Sequence, residues 1–140
     1  MKRYQVIITL ILCMLLLLCG CANTVRLSDG APMTVYVRIT GYDNEIILPE
    51  TEIGLYENET VLDVLVRAAK ENDIRLDYSG TGMTAYVKGI ANLYEFDYGP
   101  QSGWVYYVSG YDSLPSTSCG AYTLSDQDTV EWVYVTERAE

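Results

Sequence analysis

A chain of 140 residues has room for one domain with a sizeable core, and its 49% hydrophobic content is raised by an apolar N-terminal stretch. Nine basic residues stand against 19 acidic ones, a net charge of −10, and no basic patch or recognition motif reverses it, which argues against a nucleic-acid partner. There is no histidine, so the commonest metal ligand and the commonest general base are both missing.

Residues 1 to 20 read as targeting rather than structure. Lys2 and Arg3 form a charged start, Val6 to Leu18 an apolar run too short to span a membrane comfortably, and a small residue then precedes a cysteine. Leu18-Cys19-Gly20-Cys21 resembles the lipobox of bacterial lipoprotein signals, with Cys19 where Ala or Ser is usual. That resemblance implies cleavage before Cys21 and lipidation of its sulfur, which would hold the protein on the extracytoplasmic face of the cell membrane. The alternative is an ordinary signal peptide cleaved nearby. Losing Lys2 and Arg3 leaves 7 basic residues against 19 acidic, a net charge of −12. Of the 4 cysteines only Cys119 then remains as a free thiol, so no intrachain disulfide is expected.

Residues 21 to 32 are polar, contain Gly30 and Pro32, and show no periodicity, which predicts a lipidated tether; a first strand in "TVRL" is the alternative. The folded domain is expected over residues 33 to 136. "MTVYVRIT", from Met33, alternates with period two, placing Val35, Val37 and Ile39 on one face and Tyr36 and Arg38 on the other. Gly41 to Asn44 supplies a turn, and "EIILPETEIGLY" continues as one bent or two short strands interrupted by Pro49, completing a hairpin.

From Asn58 to Asn72 the period becomes helical. Thr60 and Asp63 form a capping-box variant, Val61, Leu62, Leu65, Ala68 and Ala69 make an apolar stripe, and Arg67 and Lys70 lie where the helix dipole favours cations. Beyond it "DIRLDY", "MTAYVKGI", "GWVYYVSG", "GAYTL" and "TVEWVYV" are short β-type runs between turn residues. Two strands, one helix, then further strands is the order of an α+β, β-grasp (ubiquitin-like) domain: a mixed sheet with one helix packed across one face.

Four of these stretches resemble, in order, the bacterial DUF4430 domain, a module similar to the C-terminal β-domain of transcobalamin and intrinsic factor: "LYENETVLDVL", "AYVKGIANLYE", "SGWVYYVSG" and "CGAYTLSDQDTVEWVY". Asn92 and Gln127 stand where the family pattern has Gly, and Ser109 where it has Asn. Gln127 puts the expected tight turn in question, because a residue with a side chain must tolerate whatever backbone angles that position needs. The resemblance implies a corrinoid ligand, cobalamin-like, by analogy with carriers in which this domain is one of two jaws.

Catalysis lacks parts. Ser102 and Ser109 have no histidine base and no nucleophile elbow, so the chain is not expected to be an enzyme, and no resident cofactor or metal is implied. Asp126 and Asp128 in "SDQDT" lack the longer pattern of a calcium loop and read as turn residues. Cys119 has no neighbouring cation in sequence to activate it, and reads as a packed or merely exposed thiol.

The aromatics carry the functional signal. Trp104, Tyr106 and Val108 share one strand face and Val105, Tyr107 and Ser109 the other; Val130, Trp132 and Tyr134 repeat the pattern in the last strand, opposite Glu131, Val133 and Val135. Thirteen tyrosines against one phenylalanine is a composition suited to binding through rings and hydroxyls, since each buried hydroxyl needs a partner. The expected ligand-binding set is Gln101, Ser102, Trp104, Tyr106, Tyr107 and Tyr111, holding a corrinoid or similar amphipathic molecule for delivery to a membrane transporter. The alternative is a cell-surface interaction module that docks a protein or glycan through the same hairpin.

Overall fold

The computed structural model describes residues 33–109 and 115–137. The expected signal peptide, the tether, the lipidated Cys21 and the ligand-binding candidate Tyr111 lie outside the described residues. Strand β1 (Met33–Thr40) and strand β2 (Ile46–Leu55) form the antiparallel hairpin, with a single 3-10 turn at Tyr42–Asn44 between them. Helix α1 (Val61–Glu71) follows, then β3 (Leu76–Ser79), β4 (Tyr86–Ile90), β5 (Leu93–Tyr94), β6 (Gly103–Val108) and β7 (Thr129–Val135).

The fold is α+β with two sheets. A mixed four-stranded sheet runs β2-β1-β7-β6, with β1 parallel to β7 at its centre and antiparallel pairs outside, and a small antiparallel sheet runs β3-β4-β5. The second sheet is a departure from the single sheet expected from the sequence, in which "DIRLDY" and "MTAYVKGI" carry no signal of which strands they pair with. Pro49 does not divide β2. The register of β1 against β2 shifts between Val37 and Ile39, so a bulge opposite Val37–Ile39 absorbs it, and β2 is an edge strand that can lack one N–H.

Helix α1 starts where its capping residues predict. The Asp63 N–H donates to Thr60 Oγ1 (3.3 Å) and the Thr60 N–H to Asp63 Oδ2 (2.9 Å). Lys70 is the basic residue of the last helical turn, whereas Arg67 bonds to the Gly54 carbonyl and to the Glu59 carboxylate and lies 4.9 Å above the Tyr56 ring. "GAYTL" is a cap rather than a strand, with one isolated bridge from Thr123 to Thr60. The Val61 N–H donates to the Tyr122 carbonyl (3.0 Å) and the Leu62 N–H to the carbonyl of Cys119, the residue just before that segment (3.0 Å), so residues 119–122 satisfy two orphan donors of the first helical turn.

The core lies between the layers. Val35, Val37, Ile39, Ile53 and Leu55 of β1 and β2 meet Val61, Val64, Leu65 and Ala68 of α1. At the other end β4 abuts β6, bringing Val87 and Ile90 toward Trp104, Trp132 and Tyr134. Fully burying an aliphatic side chain of this size contributes roughly 1.5–3 kcal/mol. The opposite face of the large sheet is partly wet: Arg38 and Glu131 pair there at 3.7 Å with both side chains more than two-fifths exposed, an ion pair of little worth. Every residue of the described core falls between Val35 and Tyr134, so a chain starting at Ala22 keeps all of it.

Candidate functional site

The face that carries Trp104 and Tyr106 is the covered one, because β1 and β7 are parallel neighbours and their apolar residues Val35, Val37, Ile39, Val130, Trp132 and Tyr134 bury the same side. Trp104 is 5% and Tyr106 8% exposed. Both rings are therefore core residues with little surface left exposed. Trp104 Nε1–H donates to the Leu93 carbonyl (2.9 Å), and its ring meets Tyr134 edge-on at 5.3 Å.

Ser102 is fully buried, and its side chain is spent on the loop that precedes β6. Its hydroxyl donates to the Gly99 carbonyl (2.9 Å) and accepts from the Tyr98 N–H (3.1 Å) and the Tyr134 hydroxyl (3.0 Å), which also lies 2.7 Å from the Tyr94 carbonyl. It holds the 94–102 loop closed. Gln101 is exposed at the end of that loop. Tyr107 is half-buried on the other face of β6, level with Glu131 of β7, so the structure does not bring it together with Trp104 and Tyr106.

What the fold does assemble beside Trp104 and Tyr106 is a recess of about 280 Å³ between β4, β6 and residues 115–119. Trp104, Tyr106 and Trp132 line it together with Tyr86, Pro115 and Cys119, and among the described residues no charged side chain takes part. Trp132 and Cys119 were absent from the sequence-based set, although the shared period of Trp132 and Trp104 held the signal for the first. Tyr106 OH donates to the Thr117 carbonyl (2.5 Å), tying β6 to the far wall. Burial, then the neighbouring Cys119 and Tyr122, push the Tyr106 phenol up to about 12. Burial also raises the Cys119 thiol, whose Sγ lies 4.0 Å from the Ala85 carbonyl, so it stays protonated and packed near neutral pH.

Asp126 and Asp128 act as turn residues. Asp126 Oδ1 accepts the Thr34 N–H (2.8 Å) and Asp128 Oδ2 the Ser125 N–H (2.8 Å). Among the described residues no three His, Cys, Asp or Glu side chains converge where a metal ion could sit.

The chain belongs to the DUF4430 family, a domain of unknown function, whose family pattern matches residues 58–136. No curated protein matches it in sequence. Its fold is similar to that of haptocorrin, solved in complex with Cbi, at 19% identity and a TM-score of 0.60 over 75% of this chain. The chain spans only 26% of the haptocorrin chain. It is also similar to a protein of Ruminococcus gnavus described as a candidate metal-binding protein, at 17% identity and a TM-score of 0.53, covering 74% of this chain and 96% of that one.

Proposed function

We propose that the protein is a non-catalytic, membrane-anchored binding lipoprotein of the extracytoplasmic face, which captures a corrinoid-type ligand at the recess beside β6 and passes it to a membrane transporter. In this reading residues 1–20 are the signal peptide, Cys21 the lipidated end of a tether reaching residue 32, and residues 33–136 a β-grasp domain. The hairpin, single helix and central parallel β1–β7 pair support that fold.

The observation that carries the reading is the recess itself: aromatic, without a charged side chain among the described residues, and lined by both of the chain's tryptophans. At about 280 Å³ it falls just under the roughly 300–1,000 Å³ of pockets that enclose a whole drug-sized ligand. It suits one edge or arm of a large macrocycle, leaving the rest to a second surface. A fold similar to about a quarter of a chain solved with Cbi fits that division of labour.

The test is a tryptophan-fluorescence titration of residues 22–140 with cobalamin and cobinamide, with circular dichroism reporting the fold. Saturable quenching is the expected result; a folded domain whose emission and retention are unchanged at high micromolar ligand overturns the corrinoid reading. A second reading rests on Tyr42, Phe96 and Tyr98, which are 40%, 59% and 49% exposed, with Tyr42 and Tyr98 stacked at 3.6 Å. Such a patch suits protein docking, in which case it is substitution there, not in the recess, that abolishes partner binding.

A further inference from the structure

The end of the large sheet where β1 and β7 finish carries a second concave surface, separate from the recess beside β6. It is a hollow of about 400 Å³ between the turn that starts at Gly41 and the last residues of β7, and its lining includes Tyr42, Asp43, Asn44, Thr136 and Glu137. All five are exposed. Among the described residues the side chains of Asp43, Asn44, Thr136 and Glu137 make no hydrogen bond or ion pair.

The turn is held tightly. Asp43 and Asn44 have left-handed φ of 52° and 61°, which these residue types enter more readily than most. The Gly41 N–H donates to the Glu45 carbonyl (2.7 Å) and the Glu45 N–H to the Tyr42 carbonyl (3.1 Å). Tyr42 is fixed as well: Tyr98 stacks on one face of its ring, Tyr134 meets Tyr98 edge-on at 6.0 Å, and the Tyr134 hydroxyl is bonded in turn to Ser102 and to the Tyr94 carbonyl. With one ring face covered, the exposed surface of Tyr42 is its other face and its rim. Aromatic surface held rigid in solvent, instead of folded away, is a feature of binding sites.

The groups around it narrow the visitor. The Asn44 amide and the Thr136 hydroxyl both donate and accept, while the Asp43 and Glu137 carboxylates accept. No basic side chain lines the hollow among the described residues, so an anion would meet repulsion. An organic cation would engage the carboxylates but offer no acceptor to Asn44 or Thr136. An apolar protein surface would strip water from all four groups. A pyranose ring has what both lack: an apolar C–H face, and hydroxyls that donate and accept.

We infer that this hollow binds an uncharged pyranose, stacked on Tyr42 with its hydroxyls bonded to the polar side chains of the turn and of residues 136–137. The β1 strand covers roughly 23 Å at about 3.3 Å per residue, so the hollow lies at the opposite end of the sheet from the point where the N-terminal segment joins at Met33. A sugar approaching an anchored domain from outside would meet this end first.

The experiment titrates ¹⁵N-labelled residues 22–140 with methyl β-D-glucopyranoside. Sorbitol, which has the hydroxyls without the ring, and choline, a cation, are the comparison probes. The backbone N–H signals of Tyr42, Asp43, Asn44, Thr136 and Glu137 are expected to move saturably with the glucoside and to stay in place with the other two. Tyr42→Leu, at an exposed turn position, is expected to lower the glucoside affinity about two- to tenfold, the range of an aromatic contact. Cellohexaose that binds more tightly than the glucoside identifies a glycan chain as the source of the ring, and equal binding a free sugar; either upholds the inference.

Sorbitol moving the same signals as far as the glucoside overturns it, because hydroxyls alone then explain the contact. Choline moving them while the glucoside does not overturns it in favour of a cation site. No response to any probe overturns it and leaves the patch to protein docking. The Trp104 and Trp132 indole signals report the recess separately, so the corrinoid reading stands or falls on cobinamide alone. The shifts are read on the unsubstituted domain and decide the matter even if Tyr42→Leu does not fold.

Discussion

The aromatic face of β6 and β7 divides into two halves that look alike in sequence and differ in chemistry. Toward the 93–102 loop, Trp104, Tyr134 and Ser102 form a closed set in which every polar atom bonds to a carbonyl or a hydroxyl of that loop. Toward residues 115–122, Tyr106 and Trp132 sit 5.4 Å apart beside a recess, with one donor satisfied and one not. A tryptophan two strand positions away from another on one face can thus be scaffold while its neighbour keeps an open valence. The difference comes from what lies against each half among the described residues: a loop of matched carbonyls in one, a recess in the other.

The largest expected effect breaks the closed half. Trp104→Ala removes a ring that is 5% exposed and strands the Leu93 carbonyl, which should destabilise the domain by about 3–5 kcal/mol in urea unfolding. A loss under about 1 kcal/mol with weakened ligand binding would return Trp104 to the ligand surface.

A smaller effect is read from pH in the open half. The Tyr106 phenol titrates near 12 in the fold against about 10 when unfolded, so above pH 10 the unfolded chain releases a proton that the folded one keeps. Stability from this group is complete below about pH 10 and lost as pH rises toward 12, at up to roughly 1.4 kcal/mol per pH unit. Other tyrosines titrate in the same range, and the difference between the parent and Tyr106→Phe isolates this contribution. Parallel stability curves for the two proteins between pH 9 and 11.5 would show that Tyr106 is wetter than its burial indicates.

The comparison sharpens with a matched pair of isolated ring changes. Trp104→Phe breaks a made hydrogen bond, whereas Trp132→Phe removes a donor that has none, so the first should cost about 1 kcal/mol more than the second in chemical denaturation. Equal losses would mean that a water already satisfies Trp132.

The elements that local rules govern were legible in the sequence: the β1–β2 alternation, the Thr60–Asp63 cap, and the two-residue period that puts Trp104 with Tyr106 and Trp132 with Tyr134. The site was legible only in part. Period two groups residues by face but does not tell which face is covered, and that depended on the parallel pairing of β1 with β7, a contact between residues more than ninety positions apart. "GAYTL" has strand composition, yet its Tyr122 carbonyl, with that of the preceding Cys119, caps α1, because an unsatisfied helix start in three dimensions outweighs a weak local propensity. Cys119 and Trp132 meet in the recess for the same nonlocal reason, and no spacing in the chain announces it.

The smallest effect lies outside both halves and tests whether departures from the family pattern can be read physically. Asn92 and Gln127, which replace glycines of that pattern, have φ of 64° and 69°, so both turns form with a side chain in the left-handed region. At Gln127 the backbone does the work: its N–H donates to the Thr34 carbonyl (2.7 Å), while its side chain makes only a 3.4 Å contact to Asp126 Oδ1 on an exposed surface. The left-handed conformation costs an L-residue about 1–2 kcal/mol, and glycine gives back roughly 0.5–1 of that through its freer unfolded state. Gln127→Gly should therefore stabilise the domain by about 0.5–1 kcal/mol, visible as a higher urea midpoint with unchanged slope. Asn92→Gly should gain less, because asparagine enters this region more readily than glutamine. Neither change alters the recess, so ligand affinity should hold constant while stability rises; a Gln127→Gly protein that gains stability but loses affinity would tie the β7 entry turn to the open half.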